Sequence, residues 1–252
     1  MNEPLKIDYT FLKGAVLTSE LVVISAVVDG LASKSPTQLY GWLGDGWYDL
    51  GTYGWNTCGL CVLEETETII CISDFGEVSI AKRGGIRTLE KIGTEDFSPK
   101  KFGKLRTVSV IDGAVVAGGV GRQVYVRGSE NNWKPLGSSN FTLESKLGGF
   151  EGIDGFSLKN IYGVGWNGEI WHYDSKIWTR KSSPTNQMLT AVCCSEDGNV
   201  YICGRRGLVI VGKDDLWKII DQQETIEDFW SVVWFDDKLY LSTMRAVYTV
   251  SD

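Results

Sequence analysis

Histidine is almost missing from this chain: of 252 residues, His172 is the single one. One imidazole excludes a histidine dyad, a histidine-rich metal site and most pairings of metal-ligating histidines. A Ser-His-Asp triad needs only one, but Gly-x-Ser-x-Gly is missing too, so His172 reads as an ordinary strand residue. Proline is scarce at five, against 30 Gly, ten Trp and ten Tyr. That balance suits many short strands joined by tight turns. Long apolar runs are also lacking. Residues 21–28 form an eight-residue run, too short to span a bilayer, and Glu3, Asp8 and Glu20 lie where a signal peptide carries positive charge. The expectation is a cytoplasmic protein with no membrane partner.

Positive charge is in deficit as well. The 25 Lys and Arg face 32 Asp and Glu, a net charge of −7. A general nucleic-acid binder needs a basic face to displace counterions, so nucleic acid is not an expected partner. A basic protein partner suits the balance, because complementary charge speeds and orients association. At 43% hydrophobic and 12% aromatic the chain carries enough apolar surface to fold. Its six cysteines lie mostly in strand-like runs, and Cys193 and Cys194 are adjacent, which reads as reduced thiols rather than a disulfide framework. Cys58 and Cys61 form a Cys-x-x-Cys, but on a straight strand residues three apart point to opposite faces. Zinc needs four ligands, so no metal or cofactor is expected.

What is present is a repeat. Residues 199–220, NVYICGRRGLVIVGKDDLWKII, read as strand, Gly-bounded turn, strand, polar turn, and a third strand led by Trp217. Residues 160–180, NIYGVGWNGEIWHYDSKIWTR, keep the same order, with Gly168 matching Gly207 and Trp178 matching Trp217. Residues 114–136 form a third copy with Trp133 in the Trp position. Weaker copies cover residues 68–92, where Arg87 replaces the Trp, residues 37–50, with Trp47, and residues 238–250. Anchors at positions 38, 76, 122, 168, 207 and 245 are spaced by 38, 46, 46, 39 and 38 residues. A further apolar strand precedes each copy. Four strands per unit at this spacing is the signature of propeller blades.

The sequence therefore predicts an all-β, six-bladed β-propeller of four-stranded antiparallel blades in a single domain, 1–252. The blades fall near 12–52, 53–95, 102–138, 148–183, 187–222, and 226–252 plus 4–11. The last copy lacks an outer strand and residues 5–11, LKIDYTF, form a spare one, so the N-terminal strand is expected to close the last blade. Seven blades are the alternative, if residues 14–35 hold further strands. The repeats resemble the short bacterial propeller repeats of the neuraminidase-type and photosystem-assembly-factor-type families, in which a Gly-flanked middle strand precedes a Trp-led outer strand. The neuraminidase Asp-box is not cleanly present: residues 195–201, SEDGNVY, lack the spacer before Gly and the closing Trp.

The recurring Trp47, Trp133, Trp178 and Trp217 are expected to pack between blades. Acidic clusters such as Glu64, Glu65 and Glu67, or Asp236 and Asp237, fall in turns and read as solvated loops. The turns between second and third strands break the repeat with Asp74, Phe75, Arg122, Trp166, Asn167, Arg205, Arg206, Met244 and Arg245. Trp55 and the pair Lys100 and Lys101 open on the same side. Trp and Arg dominate binding hot spots, so this face is the candidate partner-binding surface. The expected function is a non-enzymatic protein-binding propeller, monomeric on its own. A sharper form is a bacterial immunity protein that neutralises a basic toxin domain. A carbohydrate-binding lectin is the alternative, and a sialidase- or lactonase-like enzyme comes third.

Overall fold

The computed structural model describes residues 9–29, 36–82, 85–94, 97–137 and 148–250. Short alternating segments ended by Gly, Asp or Asn cannot continue as helix, and they pair with the next segment along the chain. Blade 1 is β1 (Tyr9–Val16), β2 (Val22–Val28), β3 (Thr37–Trp42) and β4 (Trp47–Tyr53). Blade 2 is β5 (Thr57–Leu63), β6 (Thr68–Ser73), β7 (Glu77–Lys82) and β8 (Arg87–Lys91). A single helical turn, α1 (Pro99–Phe102), leads into blade 3: β9 (Leu105–Ile111), β10 (Ala114–Gly119), β11 (Val124–Ser129) and β12 (Asn132–Pro135). Blade 4 is β13 (Phe150–Ser157), β14 (Asn160–Gly165), β15 (Ile170–Tyr173) and β16 (Trp178–Lys181). Blade 5 is β17 (Leu189–Cys194), β18 (Val200–Gly204), β19 (Val209–Lys213) and β20 (Leu216–Ile219). Blade 6 is β21 (Ser231–Phe235), β22 (Lys238–Ser242) and β23 (Val247–Val250). Every sheet is an antiparallel meander, and the protein is a six-bladed β-propeller.

The first strands of successive blades, β1, β5, β9, β13, β17 and β21, pack side by side around the axis. Glycine makes this approach possible: a Cβ on Gly59 would lie 2.3 Å from Val108, and one on Gly152 would lie 2.7 Å from Ala191. Asp154 ties three blades there, accepting from the Ser109 hydroxyl at 3.2 Å and from the Cys194 N–H at 2.8 Å. Burial raises its pKa, and these donors oppose the rise.

Residues 9–11 of the expected closing strand belong to blade 1 rather than to the last blade. Tyr9, Thr10 and Phe11 pair with Val28, Val27 and Ala26, so β1 is the inner strand of blade 1, and the sixth sheet has three strands among the described residues. Residues 5–8 of the expected closing strand lie outside the described residues, as do residues 30–35. The reason is local. A short loop joins β1 to β2, and closing it costs less chain entropy than reaching the far end of the molecule.

The Cys-x-x-Cys is also corrected. A β-bulge between Thr57 and Gly59 rotates Cys58, so Cys58 and Cys61 both enter the core between blades 2 and 3. All six cysteines are free, and burial pushes their thiols up, Cys61 and Cys203 to about 12 and Cys71 and Cys193 to about 11. Among the described residues no group of three His, Cys, Asp or Glu is placed to hold a metal, and no helix is long and apolar enough to cross a membrane. His172 packs on Tyr162 at 4.6 Å and meets Asn160 Oδ1 at 2.8 Å, which is a packed strand position.

Candidate partner-binding faces

An antiparallel meander has two kinds of end. Turns between second and third strands share one face of the disc with the blade-to-blade connections, here called the connection face. Turns within the outer strand pairs, first to second and third to fourth, form the opposite hairpin face.

All the candidate residues lie on the connection face, but most of them are already engaged. Asp74 is buried and holds Lys104 Nζ at 2.8 Å, while that ammonium also lies 5.5 Å from the Phe75 ring. Arg122 donates from Nε to Glu169 Oε2 at 2.7 Å and lies over the Trp171 ring. Trp166 donates to Glu151 Oε1 at 2.6 Å, and Arg106 approaches the same oxygen at 3.9 Å. Arg205 meets Asp228 at 3.8 Å, the Arg206 N–H donates to Asp228 at 2.9 Å, and Arg245 meets Glu227 at 3.8 Å. Trp55 stacks on Tyr53 at 4.8 Å against the core between blades 1 and 2. Most of these pairs join one blade to the next or to its incoming connection, so they stitch the ring. Phe75, Asn167, Arg206, Met244, Lys100 and Lys101 remain exposed on this face.

A repeated device aims some of these groups. In blades 2 to 5 the second residue of the inner strand is bulged: Cys58, Arg106, Glu151 and Thr190. A bulge turns one side chain out of the strand's alternation. Arg106 and Glu151 thereby meet across blades, and Thr190 donates to Phe229 O at 2.6 Å in blade 6.

The hairpin face has the opposite character. Every blade places carboxylates in its hairpins, among them Glu20, Glu65, Asp112, Asp174, Asp214 and Asp236. Part of this is turn chemistry. Asp112, Asp214, Asp236 and Asp237 have φ of 52°, 55°, 49° and 56°, a left-handed conformation that Asp tolerates and most residues resist. Whatever its origin, the result among the described residues is a surface on which carboxylates outnumber cations. Asp197 accepts from Ser195, Asn199 and Tyr201; burial raises its pKa, but these donors outweigh it and hold the carboxyl at about 2. The sequence signal for this face was the placement of acids by turn type, and reading the clusters one at a time as solvated loops missed it.

Three of the four recurrent tryptophans fill interfaces as expected. The Trp133 indole donates to Glu90 of blade 2 at 3.0 Å, and that of Trp178 donates to Leu136 O of the blade 3 segment at 3.1 Å. Trp217 packs edge-on against Tyr162 of blade 4 at 6.0 Å. Trp47 departs from the expectation. It is 55% exposed and packs on Trp42 of its own blade at 5.3 Å.

Between blades 1 and 2, where Arg87 stands in the Trp position, a cavity of about 720 Å³ opens. Leu21, Leu39 and Leu50 line it beneath a rim of Glu20, Asp49 and Arg87. Arg87 lies 5.2 Å from the Tyr53 ring and bonds the Leu50 carbonyl.

No protein-family model matches the chain. YCF48 bound to a D1 peptide superposes with a TM-score of 0.67, covering 98% of this chain and 80% of that one at 12% identity. YCF48 from Cyanidioschyzon merolae gives 0.68 over 96% and 82% at 13% identity, and the WD40 β-propeller domain of Doa1 gives 0.64 over 97% and 87% at 14%. At such identities the likeness carries the fold alone, and it bears out the propeller-repeat resemblance drawn from the sequence. A relative from Pseudomonas aeruginosa says more. The immune protein Tsi7 is 37% identical over 251 residues, spanning 96% of this chain and 82% of that protein. The chain belongs to the family of the immune protein Tsi7.

Proposed function

We propose that the protein is an immunity protein that binds a cognate toxin domain and neutralises it by covering the toxin's working surface. The observation that carries this reading is the 37% identity to an immune protein over almost the whole chain. The protein acts by binding, with no catalysis of its own. It is a monomer before the toxin arrives, and its target is a protein rather than nucleic acid or a membrane. A basic toxin domain suits the net charge of −7 and the acidic hairpin face, because complementary fields raise the encounter rate and select orientation. Buried, high-pKa thiols suit a reducing compartment, the cytoplasm. The exposed connection-face residues Phe75, Asn167, Arg206 and Met244 form a second contact surface.

The test is capture followed by neutralisation. The tagged chain is purified from its native cell, and a protein bound in stoichiometric amount is identified by mass spectrometry. That protein is then expressed alone and together with the chain. Growth arrest by the captured protein, relieved by the chain, is the expected result. A captured protein without toxicity, or toxicity that the chain does not relieve, overturns the reading.

A further inference from the structure

Among the described residues, the six blades meet in five places. Each of the five hydrophobic cores among the described residues belongs to one pair of consecutive blades, from Val23, Leu39 and Leu60 between blades 1 and 2 to Val209, Val232 and Leu241 between blades 5 and 6. No sixth core joins blade 6 to blade 1 among these residues. The two faces that flank this gap nevertheless carry exposed apolar residues. In β21 the alternation buries Val232 against blade 5 and turns Val233 and Phe235 the other way, 51% and 69% exposed. Val247 on β23 is 68% exposed. On blade 1, Val16, Val22, Trp42 and Trp47 form one row across all four strands, facing away from Val23 and blade 2. Val16 and Trp47 at the ends of that row are exposed, as is Phe11.

The repeat says what such faces are for. In blades 3, 4 and 5 the Trp that opens the fourth strand covers the preceding blade. Trp47 holds that position in blade 1 and covers no preceding blade among the described residues. A face built to pack on another sheet takes a sheet, stacked about 10 Å away. A second copy of this chain is a poor occupant, because it would bring the same charge of −7 and the same acidic hairpins to the contact. At its hairpin end the gap is bordered by exposed Asp45, Asp236 and Asp237, with Lys238 beside them. These margins suit a basic visitor.

We propose that the gap between blades 1 and 6 seats a β-hairpin of the toxin, apolar on both faces and basic at the end that reaches the hairpin face. The toxin thus completes the ring and supplies the missing interfaces. This inference rests on the immunity reading above.

The test uses the full chain and the toxin captured from the native cell, with affinity measured by calorimetry. Val233→Asp and Trp47→Asp place a charge on one wall each, at exposed positions, and circular dichroism melts of the free variants stay at the wild-type value. Each variant weakens toxin binding at least about thirtyfold, as a central apolar contact does. Leu89→Ala on the outer strand of blade 2, 65% exposed and away from the gap, stays within about threefold of wild type, as most residues away from a hot spot do. Hydrogen exchange in β1 and β21 slows when toxin binds. Wild-type affinity in both wall variants overturns the seam proposal while leaving the immunity reading intact. A wild-type chain that binds no toxin overturns the immunity reading itself. Acrylamide quenching of Trp47, read as the difference from Trp47→Phe, checks the free chain. Trp47 that is shielded until the protein is diluted makes a second copy the occupant. Trp47 that is shielded until residues 1–8 are removed makes the chain its own occupant. Either result overturns the proposal.

Discussion

Trp178 and Trp47 open the same strand of two blades, yet one is 3% exposed and the other 55%. Trp178 lies on Phe150 at 5.2 Å and Tyr173 at 5.3 Å, and its indole N–H reaches the blade 3 segment. Trp47 touches a tryptophan of its own blade. The repeat specifies the side chain, and the neighbour decides what it does. In the filled interfaces this position is a structural anchor. At the open gap the same residue type becomes exposed aromatic surface, the material of recognition.

Truncating the anchor has the largest expected effect. Trp178→Ala removes a buried indole from the core between blades 3 and 4 and costs about 3–5 kcal/mol, read as a fall in the denaturation midpoint. A loss below about 1 kcal/mol would break the comparison, because Trp178 would then be as dispensable as an exposed residue.

The core between blades 2 and 3 adds a charge to the same argument. Glu90 has a fully buried side chain held by Arg127 at 2.7 Å and by the Trp133 indole at 3.0 Å. Arg127→Ala leaves that carboxylate unpaired and costs about 3 kcal/mol or more, measured at neutral pH. Burial raises the Glu90 pKa, but the donors from Arg127, Asn131 and Trp133 outweigh it and hold the carboxyl below its usual range. A depressed folded pKa gives stability that is present above the unfolded value, about 4.3, and lost as pH falls through the folded one. The wild type therefore weakens on acidification below about pH 4, and Glu90→Gln has a flatter acid limb in pH-dependent melts.

How much of this could be read from the chain follows from how local each feature is. Blade number was legible because turn glycines such as Gly168 and Gly207, with Trp178 and Trp217 after them, mark each unit within a few residues. The face carrying Asp74, Trp166 and Arg205 was legible for the same reason, since a turn's place in the repeat fixes its side of the disc. Their partners were not. Pairs such as Arg122 with Glu169, 47 residues apart, depend on how one blade meets the next, and strand alternation carries no inter-blade register. The alternation in residues 5–11 fits more than one sheet edge, so the pattern could not choose between closing blade 6 and starting blade 1. The bulge at Cys58 was equally silent in a run of small apolar residues.

Arg87 tests the comparison from the other side. It occupies the Trp position in blade 2, and a large cavity opens there against blade 1. Arg87→Trp gives up the cation–π contact with Tyr53 and places an indole over Leu39 and Leu50. A net gain of about 1 kcal/mol is expected in chemical denaturation, the usual scale for filling a native cavity. A net loss would mean that Arg87 is shaped to its site rather than standing in for a tryptophan.

The smallest effect is expected at the open gap. Trp47→Ala removes a side chain already half in water, with Trp42 as its aromatic neighbour, so stability changes by less than about 1 kcal/mol. The contrast with Trp178 is the point: one residue type at one repeat position differs several-fold in structural worth. A loss at Trp47 as large as at Trp178 would show that in solution the indole is covered, and that the ring closes on itself. A near-neutral change leaves Trp47 free for a partner, because selection for folding alone gives no reason to hold a tryptophan in water.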